Sequence, residues 1–285
     1  TFDMMNSALD VCISTYSNLH FTEPRFLSYV AEDRTVVFNN DVLADYLTEV
    51  GSCEPEFANM KAKDRGAYPD ILLSTCTDMS RTKPHVDFER YRDAYYRNYF
   101  PFETPESVCT EYLNGMRWVL QYYLYGSPDY HWYYPFHYAP FASDMANVVR
   151  EFVHEPFRRN PPLSQIEQLM CVLPRQGRDL LPSALRNFHD DPRVSYAYPI
   201  SFDLDFAGKH MDYEAIVLLP MVDVTKIQEI FREVELSEAD TYLNTPAMTK
   251  VYNHNQWRRT SFSNEFGSIP QCAVTVTEVD LHDCI

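Results

Sequence analysis

The sequence predicts a mostly α fold: an irregular helical domain with aromatic-rich loops and a few short strands near the C-terminal end. Three observations carry this expectation. Apolar residues recur at three- and four-residue spacing, between recognisable start and stop signals, as far as about residue 235. A dense aromatic run near the middle has no period at all and is broken by prolines. Beyond Tyr242 the pattern weakens, except at Ala273–Val279, where Val and Thr alternate as in a strand.

Ala8, Leu9, Cys12, Ile13 and Tyr16 share one face of a first helix. A second starts at Asn40 or Asp41, carries Leu43, Tyr46, Leu47 and Val50, and stops at Gly51 as its C-cap. Residues 61–86 mix charge, Pro and Thr without period and read as a loop or insertion. Val86–Phe100 returns to helical spacing. Pro105–Tyr125 is the clearest helix: Thr104 caps it, Pro105 takes the first turn, and Gly126-Ser127-Pro128 ends it. Its apolar face is expected to be Val108, Tyr112, Met116, Val119 and Tyr123, with Trp118 also packed. Beyond the aromatic run, Ser143 or Asp144 caps a short helix, and Pro156–Pro162 is a basic, proline-rich turn. Ser164 and Glu167 form a capping box for a helix ending before Pro174. A short helix follows Pro182 and stops at Asp190-Asp191-Pro192. Ala215–Leu219 fits a helical turn or a buried strand equally, and Thr225–Val234 reads as a helix. The divisions are then 1–100, 105–235 and a weakly patterned extension over 236–285, all within a single domain over 1–285.

Composition narrows the function. With 45% hydrophobic and 23% charged residues, the 285-residue chain is neither disordered nor collagenous. A formal net charge of −17 argues against a uniformly basic nucleic-acid binder and leaves room for a local basic stripe. Only 7 glycines and no GxxxxGK[ST] or GxSxG leave phosphate loops and nucleophile elbows without support. No apolar run is long enough to span a membrane, and the acidic start lacks a signal-peptide pattern. Seven scattered cysteines with no CxxC pair fit free thiols in a reducing compartment. The chain begins at Thr1, as a trimmed chain or a segment of a longer protein would.

Asp203 and Asp205 would project from one strand face, as shared metal coordination needs. Further carboxylates are not evident beside them, and alternating Phe202, Leu204 and Phe206 equally describe a strand burying its apolar side. His131 and His137 lack metal spacing and suit hydrogen bonding in a packed loop. The run Tyr130-His131-Trp132-Tyr133-Tyr134-Pro135-Phe136-His137-Tyr138 has two readings. Its rings can stack on unpaired bases, or they can form a proline-locked core with bonded hydroxyls.

The stretch EYLNGMRWVLQYYLYGSPDYHWYYPFHYAPFASDM (Glu111–Met145) closely resembles the second conserved block of the Xrn family of 5′→3′ exoribonucleases. The resemblance continues, collinear, through PLSQIEQLMCVLPRQGRDLLP (Pro162–Pro182) and YPISFDLDFAGKHMDYEAIVLLPMVD (Tyr198–Asp223). It reaches more weakly back to LDVCISTYSNL and DVLADYLTEVGSCEPEF, and spans about four-fifths of the chain. It implies a helical domain that packs on an N-terminal nuclease block and guides single-stranded, 5′-monophosphorylated RNA into it. The metal carboxylates, and the Mg2+ they bind, then lie in a block preceding this segment. This segment is expected to hold no cofactor and to be inactive alone. By the same resemblance Asp203 and Asp205 fall outside the metal site, beside a family Asn-Gly-Lys turn that here reads Ala207-Gly208-Lys209. A base-stacking Trp belongs to the family motif Ser-Trp-x-Trp. Its second position is Trp132 here and its first is Tyr130, so Trp132 is the primary candidate and Tyr130 the second. Tyr134–Asp144 resembles the nuclear branch more than the cytoplasmic one. The alternative is a degenerate, non-catalytic scaffold or protein-interaction module.

Overall fold

The computed structural model describes residues 10–18, 26–80 and 84–244 in full, and the backbone of strands at 249–257, 262–264, 267–269 and 272–279. The described part is mostly helical, with strands only in short antiparallel pairs. The chain divides into two compact units, Thr1–Pro161 with Ser195–Val222, and Pro162–Val194 with Asp223–Ile285.

In the first unit a helix, α1, covers residues 10–18. Ile13 and Tyr16 on its expected apolar face are exposed, while Ala8 and Leu9 lie outside the described residues. A hairpin that periodicity missed follows, β1 (Ser28–Val30) against β2 (Val36–Phe38). Three-residue strands are too short to show alternation.

The main core is built by α2 (Asn40–Ser52), α6 (Pro105–Tyr125) and α7 (Ala142–Val149). Leu43, Ala44 and Leu47 meet Cys109 and Leu113, and Met145, Ala146 and Val149, with Phe38 and Phe152 at the edge. Gly51 is not the cap of α2. It lies inside the helix, where a Cβ would sit 2.7 Å from the Ser143 backbone nitrogen, so it is the site of closest approach to α7. Nor do Ser143 and Asp144 cap α7; both lie in its first turn. The caps come from α3 (Glu54–Lys63), whose Glu54 carboxylate accepts the Ala142 N–H and the Ser143 hydroxyl, each at 2.6 Å. Burial raises the Glu54 pKa against the pull of those bonds.

The described residues of 61–86, 61–80 and 84–86, hold more regular structure than a loop. α3 runs to Lys63, α4 covers Ile71–Thr75, and β3 (Thr77–Asp78) pairs with β4 (His85–Val86). The signal was Asp70, which accepts the Leu73 N–H at 2.9 Å as an N-cap and pairs with Lys61 at 2.8 Å. Asp87 likewise caps α5 (Phe88–Tyr99).

α6 has the predicted ends: the Thr104 hydroxyl accepts the Ser107 N–H, and Gly126 closes it at φ +90°. Its buried line is Cys109, Leu113 and Arg117 with Val108, about one residue round from the expected face. Val119 and Tyr123 are exposed. The shift has a cause that a hydrophobic pattern does not contain, because the buried residue of the fourth turn is an arginine. Burial pushes the Cys109 thiol to about 12, so it stays protonated. The five cysteines with described side chains are free thiols.

In the second unit α8 (Gln165–Val172) carries the predicted Ser164–Glu167 capping box. The segment after Pro182 forms 3-10 turns, Ser183–Leu185 and Phe188–Asp190, rather than an α-helix. α9 (Val224–Arg232) starts one residue early, capped by Asp223. Its end is tied down by Arg193, which bonds both Asp191 and Glu233 at 2.7 Å. α10 (Glu238–Asn244) follows, its Asn244 accepting the Ile166 N–H.

The predicted Val/Thr strand is the last of the described strands. In the first unit β5 (Asp203–Asp205) pairs with β6 (Ile216–Leu218), which settles the apolar run Ala215–Leu219 as a strand. In the second, β7 (Thr249–Trp257) pairs with β10 (Cys272–Val279), and β8 (Phe262–Asn264) with β9 (Gly267–Ile269).

Candidate nucleic-acid interface

The aromatic run leaves the end of α6 and divides into two halves with different surroundings. From Tyr134 onward the packed-core reading holds. Tyr134 donates to the Tyr138 carbonyl at 2.7 Å, the Tyr138 ring lies 3.9 Å from that of Tyr99, and Phe136 packs edge-on to Phe100. Burial raises the hydroxyl pKa of Tyr99 to about 12.

The first half builds a wall instead. Trp132 stacks on Trp118 of α6, with centroids 6.3 Å apart and planes 25° apart, and Trp118 stacks on Tyr122 at 5.4 Å and 9°. Gly115 makes this approach possible, since a Cβ there would meet the Trp132 ring at 3.0 Å. Phe157 meets Trp132 edge-on at 6.1 Å. Trp132 is half-buried, whereas Tyr130 is 42% exposed. The two candidates therefore share one loop, and the second offers more of its ring to solvent.

Asp129 fixes that loop from inside. Its carbonyl accepts the Trp118 indole N–H at 2.9 Å, and its carboxylate accepts the His131 N–H at 2.8 Å and an Asn160 amide N–H at 3.2 Å. Asn160 returns a carbonyl to the Tyr130 N–H. Beneath lies Arg117, fully buried and, among the described residues, without a carboxylate hydrogen bonded to it. It donates to the carbonyls of Val36 and Glu155 at 3.2 and 3.0 Å, and its guanidinium sits 5.2 Å over Phe157 and 6.0 Å over Phe152. Burial lowers its pKa. Sequence reasoning missed this residue, which holds the 152–160 segment against α6.

The Asp203–Asp205 strand forms, but it does not bury the apolar side expected for it: Phe202 and Leu204 are exposed. What holds Asp205 is the Tyr138 hydroxyl at 2.6 Å and the Ala207 N–H at 2.8 Å. His137 bonds the Leu219 carbonyl through Nε2. Among the described residues no group of three or more His, Cys, Asp or Glu side chains could hold a metal ion. A 700 Å³ groove along α6 and α7 is lined by Glu106, Asp144, Glu151 and Glu155, with Arg92 already bonded to Asp144. Such a groove repels anions.

Fold and surface define a helical scaffold domain with one aromatic wall. The chain belongs to the family described as the Xrn1 helical domain, whose profile matches residues 85–278. It is 32% identical over 191 residues to 5′-3′ exoribonuclease 1 of Saccharomyces cerevisiae, covering 64% of this chain and 12% of that protein. It is 34% identical over 154 residues to human 5′-3′ exoribonuclease 1, covering 50% of this chain and 9% of the relative. With 5′-3′ exoribonuclease 2 of Eremothecium gossypii it shares 38% over 164 residues, 54% of this chain and 17% of the relative. The chain thus spans less than a fifth of the length of these relatives.

Proposed function

We propose that this chain is the helical domain of a 5′-3′ exoribonuclease acting in RNA degradation or processing. In this reading it packs on an N-terminal nuclease block and guides single-stranded, 5′-monophosphorylated RNA into it. Trp132 and Tyr130 stack on the bases. The observation that carries the reading is the Trp132–Trp118–Tyr122 wall, whose Trp132 lies on the loop that the family motif occupies, two residues after the exposed Tyr130. Rigid, flat rings bind any base, as a processive nuclease needs. In this reading the Mg2+ and the chemistry of cleavage belong to the nuclease block. By itself the chain leaves RNA intact with or without Mg2+. The nucleus is the proposed location, from the Tyr134–Asp144 string, and the cytoplasm is the alternative that imaging the tagged parent would reveal.

Equilibrium binding of short 5′-phosphorylated single strands tests the stacking role. Trp132→Ala should weaken binding about 5- to 150-fold, the equivalent of about 1–3 kcal/mol, with little preference among bases. Tyr130→Ala should cost less, and Trp132→Phe should recover much of the loss because it keeps a ring in the stack. Wild-type affinity in Trp132→Ala, or a loss that only tracks a lowered melting temperature, would make the wall part of the core and favour the scaffold reading.

A further inference from the structure

The chain carries a net charge of −17, yet two adjacent arginines, Arg158 and Arg159, sit beside the aromatic wall, and both are exposed. The backbone pins them there from either side. Phe157, the residue before the pair, has its ring against Trp132 and over the buried Arg117 guanidinium. Asn160, the residue after it, accepts the Tyr130 N–H through its carbonyl and donates its amide to Asp129. Consecutive Cα atoms are about 3.8 Å apart, so each arginine lies one residue from an anchored contact with the wall.

Arg159 has φ +56°, the left-handed region that a branched-free, non-glycine residue seldom occupies. The conformation turns the chain sharply at the pair, and the flanking contacts hold it. Among the described residues neither guanidinium forms an ion pair. Asp33 lies close enough for its charge to act on Arg159, but its carboxylate already accepts the Thr35 N–H at 2.9 Å. Arg92 and Arg150, by contrast, are spent on carboxylates: Arg92 on Asp144, and Arg150 on Asp41 and Asp45. Two unspent cations beside stacking rings form the combination that binds single strands, with rings for the bases and guanidinium groups for the backbone.

We propose that Arg158 and Arg159 contact the phosphates of the RNA strand whose bases meet Tyr130 and Trp132. This rests on the reading above that the wall binds RNA. The pair supplies a local basic surface beside the wall on an otherwise acidic chain.

Salt dependence separates the two claims. The probe is 5′-phosphorylated oligouridylate of about ten nucleotides, within the usual single-strand site size, and affinity for the whole chain is measured across a salt series. Each phosphate contact on a single strand contributes about 0.7 to the slope of log K against log salt. Arg158→Gln/Arg159→Gln should therefore flatten the slope by about 1.4 and converge with wild type at high salt, with an unchanged melting temperature. Arg158→Lys/Arg159→Lys should keep the slope. Trp132→Ala should lower affinity at every salt concentration with the slope intact. Arg178→Gln/Arg186→Gln, two exposed arginines of the other unit, should do nothing. If the wall variants lose binding while the glutamine pair keeps both affinity and slope, the arginine assignment falls and the RNA reading stands. An equal flattening from Arg178→Gln/Arg186→Gln would also overturn it, as non-specific attraction. No binding by wild type overturns both.

Discussion

His154 shares a corner of the core with Arg117, and its chemistry there is one-sided. Nε2 accepts the Phe38 N–H at 2.9 Å, which requires the neutral ring. Burial, reinforced by the Arg117 charge, holds its pKa below the usual histidine range. Burial does the same to His189 in the second unit, against a bond to the Leu173 carbonyl that favours the charged form. A histidine with a depressed folded pKa contributes stability above its unfolded value of about 6.5, and that contribution is lost as pH falls through the folded pKa. The melting temperature should therefore drop between about pH 7 and pH 5. Carboxylates held low, such as Asp191 by Arg193, act only in a more acid window. His154→Gln keeps an acceptor for Phe38 and should flatten part of the decline. An unchanged profile in that variant would show that protonation at His154 is not what the fold resists.

At the scale of elements, two glycines near helix ends behave differently. Gly126 closes α6 at φ +90° with open space where a Cβ would go, so Gly126→Ala should cost about 1 kcal/mol from backbone strain alone. Gly51 has ordinary helical geometry but touches the α7 backbone. Gly51→Ala should cost about 1–3 kcal/mol through overpacking, outweighing any gain in helix propensity. Gly126 pairs φ +90° with ψ 179°, a region nearly confined to glycine, so Asn should fare no better than Ala there, while at 51 the bulkier Asn should be worse than Ala. An Asn clearly better than Ala at 126, or no worse than Ala at 51, in denaturant melts would contradict this assignment. The same contrast explains what could be read from the sequence. The ends of α6 and α8 were legible because Thr104, Pro105, Gly126, Ser164 and Glu167 act on groups within a few residues. Gly51 resembled a cap because its partner Ser143 is distant in sequence, and Glu54 gave no sign that it caps α7. The wall was half legible. Trp132 and Tyr130 stood out on their loop, but the stack on Trp118 depends on Gly115, and a hydrophobic pattern does not mark Arg117 as a buried position.

For the whole molecule, the excess of 41 acidic over 24 basic residues sets two opposite responses to salt. Self-repulsion destabilises the compact state, so screening it should raise the melting temperature as salt rises from low values. RNA affinity should fall over the same range, as counterion release weakens. A melting temperature that fell with salt would mean that attractive pairs, such as Arg193 with Asp191 and Glu233, outweigh the net charge.

The stack on α6 has an optical consequence. Trp118 and Trp132 are two of only 3 tryptophans in the chain, and their rings overlap at 6.3 Å. Two indoles this close couple their transitions, so near-ultraviolet circular dichroism and intrinsic emission report largely on one small patch. Any ligand that inserts a ring there changes both signals without a label, which makes the chain its own sensor for occupancy of the wall.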